Sequence, residues 1–428
     1  MSASTSSAGI EHIVIVGGGI AAAGAIEGLR GAGYEGHMAL VSAEPVAPYE
    51  RPPLSKGYLL GTTPEERLFP RPKSYYAEQG IELRLGIAAA GLDVTARVVR
   101  LADGSHLDYD RLLIATGGEA LPLRVLGAEL PGIRYLRTLE DARALAEALR
   151  ATATAAGRVV VVGAGFIGAE VAAACRTLGL DVTMLEILPA PLVRVLGEEL
   201  GDYFAAVHRA HGVDLRLRAG VAAFHGADQV EEVVTTSGER IPCACVVVGI
   251  GMRPVVGWLE GSGVALGGSG DGVLVDERCE TSVPGVFAAG DIACWPYQQA
   301  GVDAPERVRL EHFDNALRQG EAAARNMLGQ GKPFAPVPYF WSEQYDLFMQ
   351  YVGYTRTWER VVFRGDPASG EPFAAFYLAS GRVRAALAVN RVRELAALKK
   401  LIGAPVAPET LADEGTDLKE LARKVQQG

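Results

Sequence analysis

Val159-Val160-Val161-Val162-Gly163-Ala164-Gly165-Phe166-Ile167-Gly168-Ala169-Glu170 is the stretch that decides the fold. A β-branched run stops at a glycine and an alanine-rich helical stretch follows. Glycine permits the tight turn and lets backbone N–H groups approach a pyrophosphate, which the positive end of the helix then favours. One Gly-x-Gly-x-x-Gly alone is a weak signal, because glycine turns are common. Here it occurs twice. The run His12-Ile13-Val14-Ile15-Val16-Gly17-Gly18-Gly19-Ile20-Ala21-Ala22 repeats the pattern 146 positions upstream, counted from Gly17 to Gly163. Its third glycine position is Ala22, which the pattern tolerates because that position serves helix–strand packing. Two strand–glycine–helix units predict an α/β chain that holds two dinucleotides.

Working outward, each unit has its acid. Glu186 ends Asp181-Val182-Thr183-Met184-Leu185, 18 residues after Gly168. A carboxylate there can accept both ribose hydroxyls of an adenosine and repels a 2′-phosphate. Ile187 and Leu188 follow with no adjacent arginine, which favours NADH over NADPH; Arg194 is near enough in sequence to temper that preference. In the first unit the matching acid is Glu44, 22 residues beyond Ala22 and just after Met38-Ala39-Leu40-Val41. Gly17, Gly19, Ile20 and Ala21 are thus candidate cofactor contacts, as are Gly165, Phe166 and Ile167 in the second unit.

Composition suits a chain with sizeable cores: 428 residues, 49% hydrophobic and 52 glycines. A net charge of −10 argues against nucleic acid as a bulk electrostatic partner. The longest apolar runs are strand-sized, so no membrane span is expected. Residues 1–8 are Ser/Ala-rich without a basic-then-apolar signal, which reads as a disordered start to a cytoplasmic protein. The five cysteines (Cys175, Cys243, Cys245, Cys279, Cys294) form no Cys-x-x-Cys. Cys243 and Cys245 read as one face of a strand, and packing suits all five better than redox or metal work.

The pattern is nested. Residues 9–118 form a first nucleotide-binding segment ending at Ala115-Thr116-Gly117-Gly118, and 119–247 carry the second fingerprint. The strand Ala244-Cys245-Val246-Val247-Val248 leads through Gly249-Ile250-Gly251 back to the first domain, at 248–331, which contains Gly285-Val286-Phe287-Ala288-Ala289-Gly290-Asp291. From 332 to 428 the pattern becomes α+β: antiparallel strands at 360–363 and 373–378, a Ser380-Gly381 hairpin turn, and amphipathic helices around 392–402 and 417–426.

Beyond the fingerprints stand Pro48-Tyr49-Glu50-Arg51-Pro52-Pro53-Leu54-Ser55-Lys56, Tyr135-Leu136-Arg137-Thr138-Leu139-Glu140-Asp141-Ala142, Ala289-Gly290-Asp291 and Tyr339-Phe340-Trp341-Ser342-Glu343-Gln344-Tyr345-Asp346. On these the chain resembles the FAD-dependent ferredoxin and rubredoxin reductases that serve oxygenases, over nearly all of residues 10–425. The resemblance implies two Rossmann-like domains, the NAD domain inserted in the FAD domain, and a C-terminal α+β domain. It places Lys56 near flavin N5, where a cation favours negative charge on the reduced ring. It pairs Glu170 with that lysine, and it puts Arg51, Arg137 and the Ala89 backbone at the flavin. Gly290 would let the backbone close on the cofactor, with Asp291 accepting from ribityl hydroxyls.

In Glu311-His312-Phe313-Asp314-Asn315-Ala316 a helix starts, with Asp314 a candidate cap. The resemblance aims this helix start at the flavin N1–C2 edge, where its dipole contributes roughly 0.3–2 kcal/mol. Relatives commonly have tryptophan at Phe313. Gly249 and Gly251 permit close approach by nicotinamide, and Trp341 lies in the family's aromatic segment beside the flavin.

The implied activity passes electrons from NADH through FAD, one at a time, to a [2Fe–2S] ferredoxin or a rubredoxin, and so indirectly to an oxygenase. One alternative is an NADH oxidase or peroxide reductase of the same fold, but those rely on a cysteine where this chain has Lys56. Another is an NADH-responsive interaction protein comparable to apoptosis-inducing factor. Ferredoxins are usually acidic, so docking on this acidic chain needs local charge; Arg307, Arg309, Arg318, Arg391, Arg393, Lys399 and Lys400 are candidates.

Overall fold

The protein is described by a computed structural model covering residues 9–427 except 269, 300 and 303. The expected disordered start at 1–8 lies outside the described residues. The chain divides into two compact units. The first takes the chain up to Glu50 with Glu66–Glu119 and Arg253–Phe340; the second takes Arg51–Glu65, Ala120–Met252 and the chain from Trp341 onward.

The first unit is built on a five-stranded parallel sheet in the order Val286–Ala288, Arg111–Ile114, His12–Val16, His37–Ser42, Ile81–Leu85. Its three inner strands are largely apolar runs because helices cover such sheets, whereas the edge strand Ile81–Leu85 alternates apolar and charged residues. Ile13, Ile15, Leu40, Leu112 and Leu113 are all buried. Helix Ile20–Gly31 packs against helix Phe313–Met327 at very short range. A Cβ on Gly320 would lie 2.0 Å from the Ala21 carbonyl oxygen, and one on Gly24 would lie 2.4 Å from that of Leu317. Three antiparallel strands, Ala89–Asp93, Val98–Leu101 and His106–Asp108, form a separate sheet.

The second unit repeats the plan. Its parallel sheet runs Asp214–Leu217, Asp181–Glu186, Arg158–Val162, Cys245–Val248, Ile133–Tyr135. A second sheet of five strands, Tyr339–Gln344, Leu347–Gly353, Arg382–Val389, Phe373–Ala379 and Arg360–Arg364, comes from the C-terminal part. The expected antiparallel pairing of 360–364 with 373–379 is present. Ser380 and Gly381 both have positive φ, 53° and 66°, as a tight hairpin turn requires. The helix expected at 392–402 is a single turn, Val392–Glu394, followed by Leu395–Leu401; the last helix is Leu418–Gln427.

Two local expectations are corrected. Cys243 lies between strands Arg240–Pro242 and Cys245–Val248, so it does not share a strand face with Cys245. His312, one residue before helix Phe313–Met327, occupies its N-cap position without a side-chain capping hydrogen bond; Asp314 falls in the first turn and pairs with Arg318 at 3.0 Å. Among the described residues no helix is long and apolar enough to cross a membrane.

Candidate active site

In the first unit the glycine turn is sterically closed on one side and open on the other. Gly17 has φ +125°, and a Cβ there would sit 2.0 Å from the Ala115 carbonyl oxygen. Gly19 is the extended N-cap of helix Ile20–Gly31, has no side-chain cap, and faces open space. Uncapped N–H groups facing a void suit a pyrophosphate. Ala22 is fully buried. Glu44 is held by the buried Tyr49, whose hydroxyl donates to Oε2 at 2.7 Å.

Gly290 brings a third segment to this turn. Its φ is +81°, and its N–H donates to Gln319 Oε1 at 2.9 Å. A Cβ on it would meet the Ala21 Cβ at 3.0 Å and the Ala316 Cβ at 3.3 Å, so Asp291 emerges between two helix starts. Arg309 fixes this corner by donating to the Asp291 carbonyl at 2.9 Å and pairing with Glu311 at 2.8 Å. At the start of helix Phe313–Met327, His312 Nδ1 and Asn315 Nδ2 are sealed from solvent without a hydrogen-bond partner. Orphaned polar atoms beside an open glycine turn are what a polar cofactor would satisfy, so this corner fits FAD.

The second unit has the same closed turn. Gly163 has φ +97°, with its virtual Cβ 2.4 Å from the Gly249 carbonyl oxygen, and Gly168 packs tightly beneath Gly163. Gly165 caps helix Phe166–Thr177 and faces open space, as does Gly251. Glu186 is buried, and both of its carboxylate oxygens accept backbone N–H groups, from Ala164 at 2.6 Å and Leu188 at 2.9 Å. The acid read from spacing therefore lies at the turn itself. Ile187 beside it is 67% exposed, and Arg194 is exposed at the start of helix Val193–Ala210.

Lys56 and Glu170 meet, 114 positions apart, with Nζ 2.8 Å from Oε2 and side chains only 14% and 3% exposed. The stiff turn Pro52–Ser55 packs on helix Phe166–Thr177 and presents Lys56 to it. Lys56 Nζ also donates to the Pro52 carbonyl at 3.0 Å. Two hydroxyls complete the carboxylate's shell: Ser55 donates to Oε2 at 2.5 Å and Ser342 to Oε1 at 2.6 Å. A buried charge so fully paired is a specific construction. Ser55 and Ser342 stood inside the quoted motifs, but nothing in their spacing pointed to Glu170. Beside the turn, the Arg51 guanidinium donates to the Arg137 carbonyl at 2.5 Å, and Trp341 is half-buried in strand Tyr339–Gln344. Ala89 opens its antiparallel strand in the first unit.

The thiols are chemically quiet. Burial pushes Cys175 and Cys243 up to about 12 and Cys245 up to about 11, and it raises Cys279 and Cys294 as well. None of the five supplies a thiolate near neutral pH. Several candidate docking cations are already engaged within the chain. Arg307 donates to the Val275 and Cys294 carbonyls, while Arg309 and Arg391, both 15% exposed, are spent on Glu311 and on Glu394 with Glu414. Arg393 and Lys400 remain exposed.

Residues 11–320 match the family profile described as pyridine nucleotide-disulphide oxidoreductase, and 339–422 match one described as reductase C-terminal. The chain is 41% identical to the 5,5'-dehydrodivanillate O-demethylase ferredoxin reductase subunit of a Sphingobium species, covering 95% of this chain and 97% of that one. It is 39% identical to rhodocoxin reductase of Rhodococcus erythropolis, over 95% and 93% of the two chains. A crystal structure of the covalent putidaredoxin reductase–putidaredoxin complex superimposes with a TM-score of 0.91 at 35% identity, covering 98% of this chain and 99% of that one. With two closed glycine turns, their acids and a matching C-terminal module, this chain belongs to the pyridine nucleotide-disulphide oxidoreductase family and carries its reductase C-terminal domain.

Proposed function

We propose that this protein is the FAD-dependent NADH:ferredoxin oxidoreductase of an oxygenase system. The observation that carries this reading is the buried Lys56–Glu170 pair, in a chain whose thiols are all held protonated. Family members that reduce disulfides or peroxides need a reactive thiol, and this chain offers an ammonium instead. Relatives matched over nearly their whole length are named as the ferredoxin reductase subunit of an O-demethylase, the ferredoxin–NAD(+) reductase component of a biphenyl dioxygenase system, and a putidaredoxin reductase. FAD and NAD(P)H are the cofactors of the family and of these relatives.

Gly17, Gly19, Ile20, Ala21, Glu44, Gly290 and Asp291 are the residues we assign to FAD, with Ala89, Arg51, Arg137, Glu311, Phe313 and Trp341 as further contacts. Gly163, Gly165, Phe166, Ile167, Gly168, Glu186, Arg194, Gly249 and Gly251 are assigned to NADH. The expected boundaries at 118, 247 and 331 belong to the same reading. When bound, FAD supplies the conversion of a two-electron hydride from nicotinamide into single electrons for an iron–sulfur acceptor. Glu170 holds the Lys56 ammonium in place, and that cation favours the negative charge that reduction creates. The uncapped start of helix Phe313–Met327 adds a fixed partial positive charge. Glu186 excludes a 2′-phosphate, which gives NADH the advantage over NADPH.

The test is turnover of the FAD-loaded protein with NADH and a [2Fe–2S] ferredoxin, read through cytochrome c. The expected rate depends on ferredoxin and greatly exceeds NADH consumption by oxygen or peroxide alone. A rate no higher than the control lacking ferredoxin, across a panel of carriers, rejects the reading.

A further inference from the structure

Glu170 is the end of a longer hydrogen-bonded chain that lies wholly within the second unit. Ser342 Oγ, which donates to Glu170 Oε1, is 3.3 Å from Gln344 Nε2. Gln344 Oε1 is 3.1 Å from His208 Nε2, and His208 Nδ1 is 2.9 Å from the Tyr345 hydroxyl. His208 comes from helix Val193–Ala210 and the other three from strand Tyr339–Gln344 and its following turn. His208, Ser342 and Gln344 are buried. No motif or spacing had marked His208.

The direction of every link follows from the carboxylate. Glu170 takes Lys56 and Ser55 on Oε2, so its Oε1 accepts the Ser342 proton. Ser342 Oγ must then accept from the Gln344 amide N–H, which turns Gln344 Oε1 toward His208. His208 therefore carries its proton on Nε2, and its bare Nδ1 accepts from Tyr345. Burial pushes His208 down to about 4, with Gln344 acting the other way and the nearby His211 reinforcing the fall. Burial also raises the Tyr345 phenol, against the opposing Arg176. Both links stay neutral at ordinary pH. Tyr345 is itself pinned: its φ is +56°, and the His211 ring stacks on it with centroids 3.6 Å apart. An amide in the middle does not pass protons readily, so the chain transmits orientation rather than charge.

We propose that His208 is a positioning residue for Glu170, acting through Gln344 and Ser342 to fix the carboxylate with Oε2 turned to Lys56. Its importance for electron transfer rests on the role given to that pair above. The test uses the FAD-loaded full chain and two readouts. The first is histidine side-chain 15N–1H NMR. His208 should show the Nε2–H tautomer, and Glu170→Gln should move its Nε2–H resonance through the intervening links. The second is anaerobic stopped-flow bleaching of the flavin by NADH. His208→Phe should lower the limiting rate about tenfold while leaving the NADH dissociation constant within about twofold, and His208→Gln, which restores a donor to Gln344, should recover most of it. Ser342→Ala and Ser342→Thr should repeat that loss and recovery if the histidine variants fold poorly. An Nδ1–H tautomer, or a resonance indifferent to Glu170→Gln, overturns the proposal. So does a fast His208→Phe protein beside a slow Glu170→Gln protein. A Glu170→Gln protein as fast as the unaltered one identifies the other failure, that of the pair's assigned role, and removes the inference with it.

Discussion

The two glycine turns of this protein are built alike and surrounded differently. In each, a positive-φ glycine is blocked by a carbonyl oxygen of a neighbouring strand end, Ala115 for Gly17 and Gly249 for Gly163. In each parallel sheet the central strand lies between the strand that follows its own helix and a strand from later in the chain. The first turn is joined by Gly290-Asp291 and by a second helix start bearing sealed, unpartnered polar atoms. The second has an exposed isoleucine beside its acid, and its helix carries the fully satisfied Glu170. A corner with unmet hydrogen bonds suits a resident cofactor, whereas an open turn suits a nucleotide that comes and goes. On the assignment proposed above, the same local motif would serve retention in one unit and exchange in the other, according to what packs around it.

The largest effects should break the two turns separately. Gly17→Ala places a methyl group 2.0 Å from a carbonyl oxygen at φ +125°. It should yield protein without bound FAD, seen as loss of the yellow absorbance, with a stability loss of about 3 kcal/mol or more. Gly163→Ala strains its own turn in the same way, yet the purified protein should stay yellow while NADH fails to bleach it. Equal flavin loss in both variants would erase the distinction between the turns.

Next in size is the ion pair that only the second unit contains. Lys56→Met or Glu170→Gln alone leaves a buried group without its partner, at a stability cost of about 3 kcal/mol by chemical denaturation. The double variant should cost clearly less than the sum of the two, and additive losses would show that the pair does not interact.

A smaller effect is a dependence on pH. His208 has its folded pKa lowered to about 4 from 6.5, so the folded protein resists protonation that the unfolded chain accepts. The stability it contributes is complete above the unfolded value and is lost as pH falls from about 6.5 toward 4, at up to about 1.4 kcal/mol per pH unit. Half-buried His312 in the first unit shifts the same way. Thermal melts of His208→Gln should show a shallower acid decline than the unaltered protein; an unchanged slope would assign the acid sensitivity elsewhere.

The smallest effect sharpens cofactor choice. Glu186→Ala should raise the KM for NADH about tenfold and shift the NADPH-to-NADH ratio of kcat/KM upward by a similar factor. Because Glu186 also accepts two backbone N–H groups, Glu186→Gln should retain the turn better, with a smaller shift in preference. A constant ratio in both variants would separate Glu186 from 2′-phosphate exclusion.

By itself the amino-acid order determined the parts whose causes are short-range. A β-branched run, a glycine and an alanine-rich helix carry their own conformational preferences, and both turns formed where those residues stand. Ser380-Gly381 likewise carries its hairpin. The family motifs extended that reading to Lys56 and Glu170 as a pair. Finer placements escaped, as with the helix start, whose N-cap position is His312 rather than Asp314, because Asp314 lies inside the first turn and is paired with Arg318 instead. The candidate docking arginines escaped for another reason, since a charge alone does not say whether carbonyls and carboxylates will surround it. Only the tertiary structure decided the shell of Glu170. Ser55, Lys56 and Ser342 reach it, with Gln344 and His208 behind Ser342, from segments far apart in the chain, and such convergence depends on how whole helices and sheets pack rather than on any local preference.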